Sequence, residues 1–206
     1  MKLFHQTHSP YARKVLAMAH EVGLADRIEV IHQETSPMVR NDEVFALNPL
    51  GQVPVLVIER DCLFDSTVIV EYLDGLHDGP KMIPPHGPAR WHALRRQAVA
   101  DGIAEAGIHL RWETVRRPDE RRWPELADGF RDKLRASYDF LERDDSLDGP
   151  LDIGHIALAA TLGWVVFREL PSFGAQHVRL AHWYEQFSRR PSMLATPLSG
   201  QTLDRR

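Results

Sequence analysis

Two hydrophobic periodicities alternate over the first 77 residues, and only the helical one continues beyond them. Short apolar runs at Lys2 to Gln6, Ile28 to Ile31, Val53 to Ile58 and Cys62 to Phe64 predict strands. Between the first two, Ala12, Val15, Leu16, Ala19 and Val22 recur at helical spacing behind Ser9-Pro10. Serine followed by proline is a good helix start: the hydroxyl accepts an orphan amide hydrogen, and proline suits the first turn. Two strands joined by a helix predict a parallel pair with a right-handed crossover. The last two runs flank the polar Glu59-Arg60-Asp61 and predict a hairpin, after which Ile69, Tyr72, Leu73 and Leu76 form one face of a closing helix. The predicted order is βαβ, then ββα.

From Asp78 to Pro88 the chain reads DGPKMIPPHGP, whose four prolines and two glycines cannot continue a helix. This segment is read as a linker between a domain at 1–78 and a second at 88–206. The second shows only helical signals, at Ala89 to Arg116, Glu120 to Arg143, Ile153 to Arg168 and His177 to Arg189. The polar end, Ser199 to Arg206, is expected to fray. The predicted fold class is α/β plus all-α.

Composition narrows the function. With 25 basic and 29 acidic side chains the net charge is −4, which gives no general field for attracting nucleic acid. The most apolar run, Ile156 to Phe167, is twelve residues long, short of the roughly 20 needed to cross a bilayer, so no membrane partner is expected. The opening MKLFHQTHSPYARK lacks the apolar core of a secretory signal, and a cytoplasmic location is the expectation. The single cysteine, Cys62, excludes an intrachain disulfide, a CxxC redox pair and a cysteine-rich zinc site. His5 and His8 have no acidic or cysteine partner at ligand spacing, so no metal is expected. Any thiol chemistry here uses a thiol that the chain does not supply.

Asn48-Pro49-Leu50-Gly51-Gln52-Val53-Pro54-Val55-Leu56, followed eleven residues after Pro54 by Asp65-Ser66, resembles the glutathione S-transferase superfamily. SPYARKV near the start and the helical second half extend the resemblance over essentially the whole chain. It implies an N-terminal thioredoxin-like domain, an all-helical domain, and glutathione as co-substrate. In such proteins the peptide before the proline of the VP pair is cis, which proline tolerates because its trans preference is only about 0.5–1 kcal/mol. Val53 is then implied to offer its amide and carbonyl to the cysteinyl unit, as an added strand would.

Asp65 and Ser66 precede a helix, where amides attract the glutamyl carboxylate and Asp65 can pair with the α-ammonium group; Ser66 is read as the cap. Ser9 is implied to face the glutathione sulfur, with Thr7 as the alternative hydroxyl. Lowering a thiol pKa by two units from about 8.5 takes only about 2.7 kcal/mol, within reach of one hydrogen bond and a helix N-terminus. For the glycyl carboxylate the candidates are Gln52, then Arg40, with His32 and Gln33 behind them.

In the helical domain Asp152 is read as a helix cap, with His155 replacing the family's usual aspartate. A hydrophobic pocket for the electrophile is expected above Ser9, lined by Tyr11, Ile103, Gly107, Arg111 and Trp112. Asp101 and Arg111 fit equally a solvated face or a dimer interface, and the arginines of 116–122 read as a solvated helix junction. The implied activity is activation of the glutathione thiol toward a hydrophobic electrophilic small molecule, in detoxification, by a homodimer. A glutathione-dependent isomerase and a non-catalytic binding or regulatory module are the alternatives.

Overall fold

The computed structural model describes residues 1–202. Four strands, β1 (Lys2–His5), β2 (Glu29–His32), β3 (Val55–Ile58) and β4 (Asp61–Phe64), form one sheet in the order β2-β1-β3-β4. β1 and β2 are parallel, with Leu3 opposite Val30; β3 runs antiparallel to β1, and β3 and β4 form the hairpin. Helix α1 (Pro10–Glu21) makes the crossover, and α3 (Ser66–Gly75) packs beside it. This is the thioredoxin-like half. The other half is helical: α4 (Gly87–Arg111), α5 (Pro124–Glu142), α6 (Ile153–Phe167), α7 (Val178–Phe187) and α8 (Pro191–Leu194).

Two apolar clusters hold these parts, and α6 enters both. Its Ile153, Ile156 and Ala159 pack with Leu3, Val15, Leu56 and Ile69, while Ala157, Leu158, Leu162 and Val165 pack among Ile103, Leu134 and Tyr138. An almost wholly apolar helix buried on every side is the natural bridge between two cores. Its entry is closed by a reciprocal capping box: Asp152 Oδ1 accepts from the His155 amide at 3.1 Å, and His155 Nδ1 accepts from the Asp152 amide at 3.2 Å. Histidine thus fills the capping role usually taken by an acid. Arg96, itself buried, donates to Asp152 at 2.9 Å. A Cβ at Gly154 would stand 2.6 Å from the Ala93 carbonyl, so glycine permits the close approach of α6 to α4.

Several local expectations are corrected. A six-residue helix, α2 (Asp42–Leu47), lies between β2 and β3, capped by Asn41 through the amides of Glu43 and Val44. Only Val44 of it is buried, so no periodic apolar face announced it. α4 ends at Arg111 and continues as a π-helical turn, Trp112–Arg116, while α5 begins at Pro124, not Glu120, because proline takes the first helical position. The cap of α3 is Asp65, whose Oδ1 accepts the Thr67 amide at 2.7 Å; Ser66 is the first helical residue. Part of the tail expected to fray is held: Ser199 and Thr7 exchange two hydrogen bonds, and Arg168 donates to Gln201 Oε1 at 2.9 Å. Residues 203–206 of that expectation lie outside the described residues. No helix among the described residues is long and apolar enough to cross a membrane.

Candidate functional site

A cleft of about 1090 Å³ opens between the sheet half and the start of the helical half. Ser9, Gln52, Val53, Pro54, Asp65 and Ser66 all line it. Three separate turns bring them together: the loop after β1, the loop before β3, and the junction of β4 with α3.

Ser9 is buried in extended backbone, and its Oγ accepts from the Ala12 amide at 3.2 Å. A hydroxyl that uses a lone pair in this way keeps its proton to give. Capping and cleft-facing are therefore compatible in one side chain. Thr7 has no such freedom: it donates to the Ser199 carbonyl at 2.9 Å and does not line the cleft.

The Val53-Pro54 peptide is cis, and β3 begins only at Val55, which leaves Val53 outside the ladder. The turn before it is braced by a buried asparagine. Asn48 Oδ1 accepts from the Leu50 amide at 3.0 Å, and its Nδ2 donates to the Gln52 carbonyl at 2.8 Å. Thr35 adds a hydrogen bond to the Gly51 carbonyl at 2.9 Å. Gly51 itself has φ +63°, and a Cβ there would overlap the Phe45 ring. Glycine meets both constraints without steric cost.

Asp65 is the strained member of the site, with φ 66° and ψ 123°. A non-glycine residue there costs on the order of 1–3 kcal/mol unless its surroundings compensate; the 2.7 Å bond from the Thr67 amide is one such compensation. Gln97 of α4 holds the Thr67 hydroxyl at 3.0 Å and ties this corner to the helical half.

Not every predicted residue arrives. Arg40 is exposed and lies outside the cleft lining; its Nε donates to Asp42 at 2.6 Å and its guanidinium sits 3.8 Å over the Phe45 ring. Gln33 is engaged by Glu43 and Asn41, and His32 by Glu34. Of the residues expected to line a pocket for the electrophile, Tyr11, Arg111 and Trp112 line the cleft, but Ile103 and Gly107 do not. Ile103 is fully buried in the helical core, and a Cβ on Gly107 would press on Trp164 and Leu170. The helix phase is off by about one residue: Gly102, Glu105 and Ile108 face the cleft instead. Asp101 is neither a solvated face nor a free acid, since both its carboxylate oxygens take 2.8 Å bonds from the buried Lys14 of α1.

Sequence reasoning missed His8, Arg116 and Arg168, all of which line the cleft. Arg116 is half-buried with its guanidinium 3.8 Å over Trp112, stacked by the π-helical turn, and so is no solvated junction. Burial, then the charges of Arg168, His32, Arg111 and Arg116, push the His8 pKa down to about 4. His8 is therefore neutral at pH 7.

The N-terminal domain model of the glutathione S-transferases matches residues 8–76. The chain is 32% identical to an uncharacterized GST-like protein, YibF, of Escherichia coli K12, over 95% of this chain and 98% of that protein. A glutathione transferase family member from Pseudomonas fluorescens Pf-5, solved with bound glutathione, is 39% identical with a TM-score of 0.92, covering 97% of this chain and 99% of that one. A second Pf-5 structure, with bound S-(propanoic acid)-glutathione, is 39% identical with a TM-score of 0.87 over 97% of this chain and 100% of that one. Extending from the strands of the first half to the last helices of the second, this likeness makes the chain a member of the glutathione S-transferase family.

Proposed function

We propose that this protein binds glutathione, holds it as the thiolate and delivers it to an electrophilic carbon. The observation that carries the reading is the convergence of the Ser9 hydroxyl, the cis Val53-Pro54 turn and the Asp65-Ser66 corner on one cleft. Ser9 donates its proton to the sulfur at the N-terminus of α1, where hydrogen bond and helix dipole both favour the anion. Val53 pairs through its backbone with the cysteinyl unit. Asp65 takes the α-ammonium group of the glutamyl unit, and the amides opening α3 take its carboxylate. Gln52 is the first choice for the glycyl carboxylate; Arg40 serves only by leaving Asp42.

In the chemical step the sulfur gives an electron pair to the electrophilic carbon, forming a C–S bond as a leaving group departs or a neighbouring double bond takes the displaced pair. Binding of glutathione and of S-(propanoic acid)-glutathione by relatives 39% identical supports both halves of this reading. Residues 1–78 then form the glutathione domain and 88–206 the wall for the electrophile, in a cytoplasmic homodimer with a detoxifying role. Calorimetric titration with glutathione tests the first half, with saturable heat in the millimolar range or below expected. No heat and no thermal shift at that concentration overturns it. Light scattering tests the dimer separately.

A further inference from the structure

The second-substrate side of the cleft is more cationic than a pocket for a purely apolar electrophile requires. Arg111 ends α4, Arg116 ends the π-helical turn and Arg168 follows α6, and all three line the cleft that holds Ser9. They are close enough to act on one another. Burial and then Arg111 bring Arg116 down to about 10, while burial, Arg111 and Arg116 bring Arg168 down to about 10 against an opposing pull from Glu34. Each also acts on His8, the residue next to Ser9, so the cluster stands beside the proposed sulfur position.

Arg111 and Arg168 lack the close carboxylate partner that other buried or half-buried cations here have, although Glu34 lies near enough to Arg168 to act on it. Arg117, one residue past Arg116, is taken by Glu113 at 2.8 Å, and Lys14 is taken by Asp101. Among the described residues neither Arg111 nor Arg168 makes an ion pair, and Arg168 Nε and Nη2 are buried with no hydrogen-bond partner. The acids lining the cleft are engaged elsewhere: Asp101 on Lys14, Asp65 on the Thr67 amide, and Glu105 at 3.9 Å from His109. Half-buried like charges with unmet donors are unfavourable unless an anion completes them.

We propose that Arg111 and Arg168, with Arg116 beside them, form a seat for a carboxylate carried by the electrophile. A planar guanidinium pair offers parallel N–H donors that suit a carboxylate. The ring of Tyr11, in the same cleft, would receive the apolar remainder of such a molecule. The substrate class becomes a small electrophilic acid, not a hydrocarbon-like toxicant. This rests on the reading that glutathione binds at Ser9.

The test compares three ligands by calorimetry at pH 7.5: free glutathione, S-(2-carboxyethyl)glutathione and the isosteric S-(2-carbamoylethyl)glutathione. The carboxylate thioether should bind about 10-fold more tightly than its amide, equivalent to about 1.4 kcal/mol. Arg168→Met and Arg111→Met should bring that ratio toward one, and Arg168→Lys should restore part of it. Equal or tighter binding of the amide by the wild-type protein overturns the carboxylate seat while leaving glutathione binding intact, and it does so whether or not the variants fold. If Arg168→Met weakens free glutathione as much as the carboxylate thioether, the arginines hold glutathione itself and the inference fails. Absence of free-glutathione binding fails the underlying reading, and the seat with it.

Discussion

On the sheet side of the cleft the groups that face inward are turn backbone and short caps: Ser9, Val53, Gly51 and the Asp65-Ser66 corner. On the helical side they are long cationic and aromatic side chains, Arg111, Arg116, Arg168 and Trp112. Backbone in a fixed turn has few alternative conformations, so it holds an extended peptide with little ordering cost. Long side chains at helix ends are easily exchanged without disturbing the scaffold. The first construction suits a constant ligand, and the second a ligand that differs from one relative to the next.

The contrast is broken most severely at the seam. Lys14 of α1 is almost wholly buried and depends on Asp101 of α4 for its counter-charge. Burial pulls the Lys14 pKa down and pushes that of Asp101 up, while each partner opposes the change in the other. Asp101→Ala strands the lysine and should lower unfolding free energy by about 3 kcal/mol. Lys14→Met with Asp101→Leu should recover much of that. Denaturant titration measures both, and a single variant as stable as wild type would show that water already screens the pair.

Ser9→Ala addresses the sheet side alone. On the role proposed for its hydroxyl, the substitution should reduce kcat/KM for glutathione with 1-chloro-2,4-dinitrobenzene about 100-fold, or about 2.7 kcal/mol. Glutathione affinity should fall far less. Unchanged turnover would shift the protein toward the binding-module reading.

Gly51→Ala sharpens the claim that this side is made by turn geometry. Its φ of +63° and the overlap with Phe45 should make alanine unfavourable by about 1–2 kcal/mol, seen in unfolding and in weaker glutathione binding. A silent substitution would mean that the turn is held elsewhere.

The smallest effect is a one-proton dependence at the meeting of the two sides. With His8 depressed to about 4 in the folded protein, the unfolded chain takes up a proton below pH 6.5 that the folded chain refuses. Stability is therefore lost as pH falls from 6.5 toward 4, by about 1 kcal/mol between pH 7 and 5.5. His8→Asn should remove that part of the slope; an unchanged slope assigns it to other groups.

The sheet side of the cleft was largely legible because its parts are local. A serine before a proline, a VP turn within a nine-residue stretch and an acid-serine pair before a helix each define their own backbone within a few residues. Even there the exact cap was misjudged. Either Asp65 or Ser66 suits a helix start, and only the left-handed φ of Asp65 decides between them. The helical side was poorly legible. Ile103 and Gly107 were misplaced because helix spacing gives a face without saying which way it turns. The arginine cluster joins residues from three different helix ends.

By itself, the sequence determined the order along the chain of the strands and main helices, the caps at Ser9 and Asp152, and the family, because these depend on short-range periodicity and contiguous motifs. The tertiary structure alone decided that Lys14 meets Asp101 and that Thr7 is held by the tail. It also gathered Arg111, Arg116 and Arg168 around one cleft beside His8. Those placements depend on the packing of α1, α4 and α6 against one another, and no local rule fixes how helices distant in sequence are rotated when they meet.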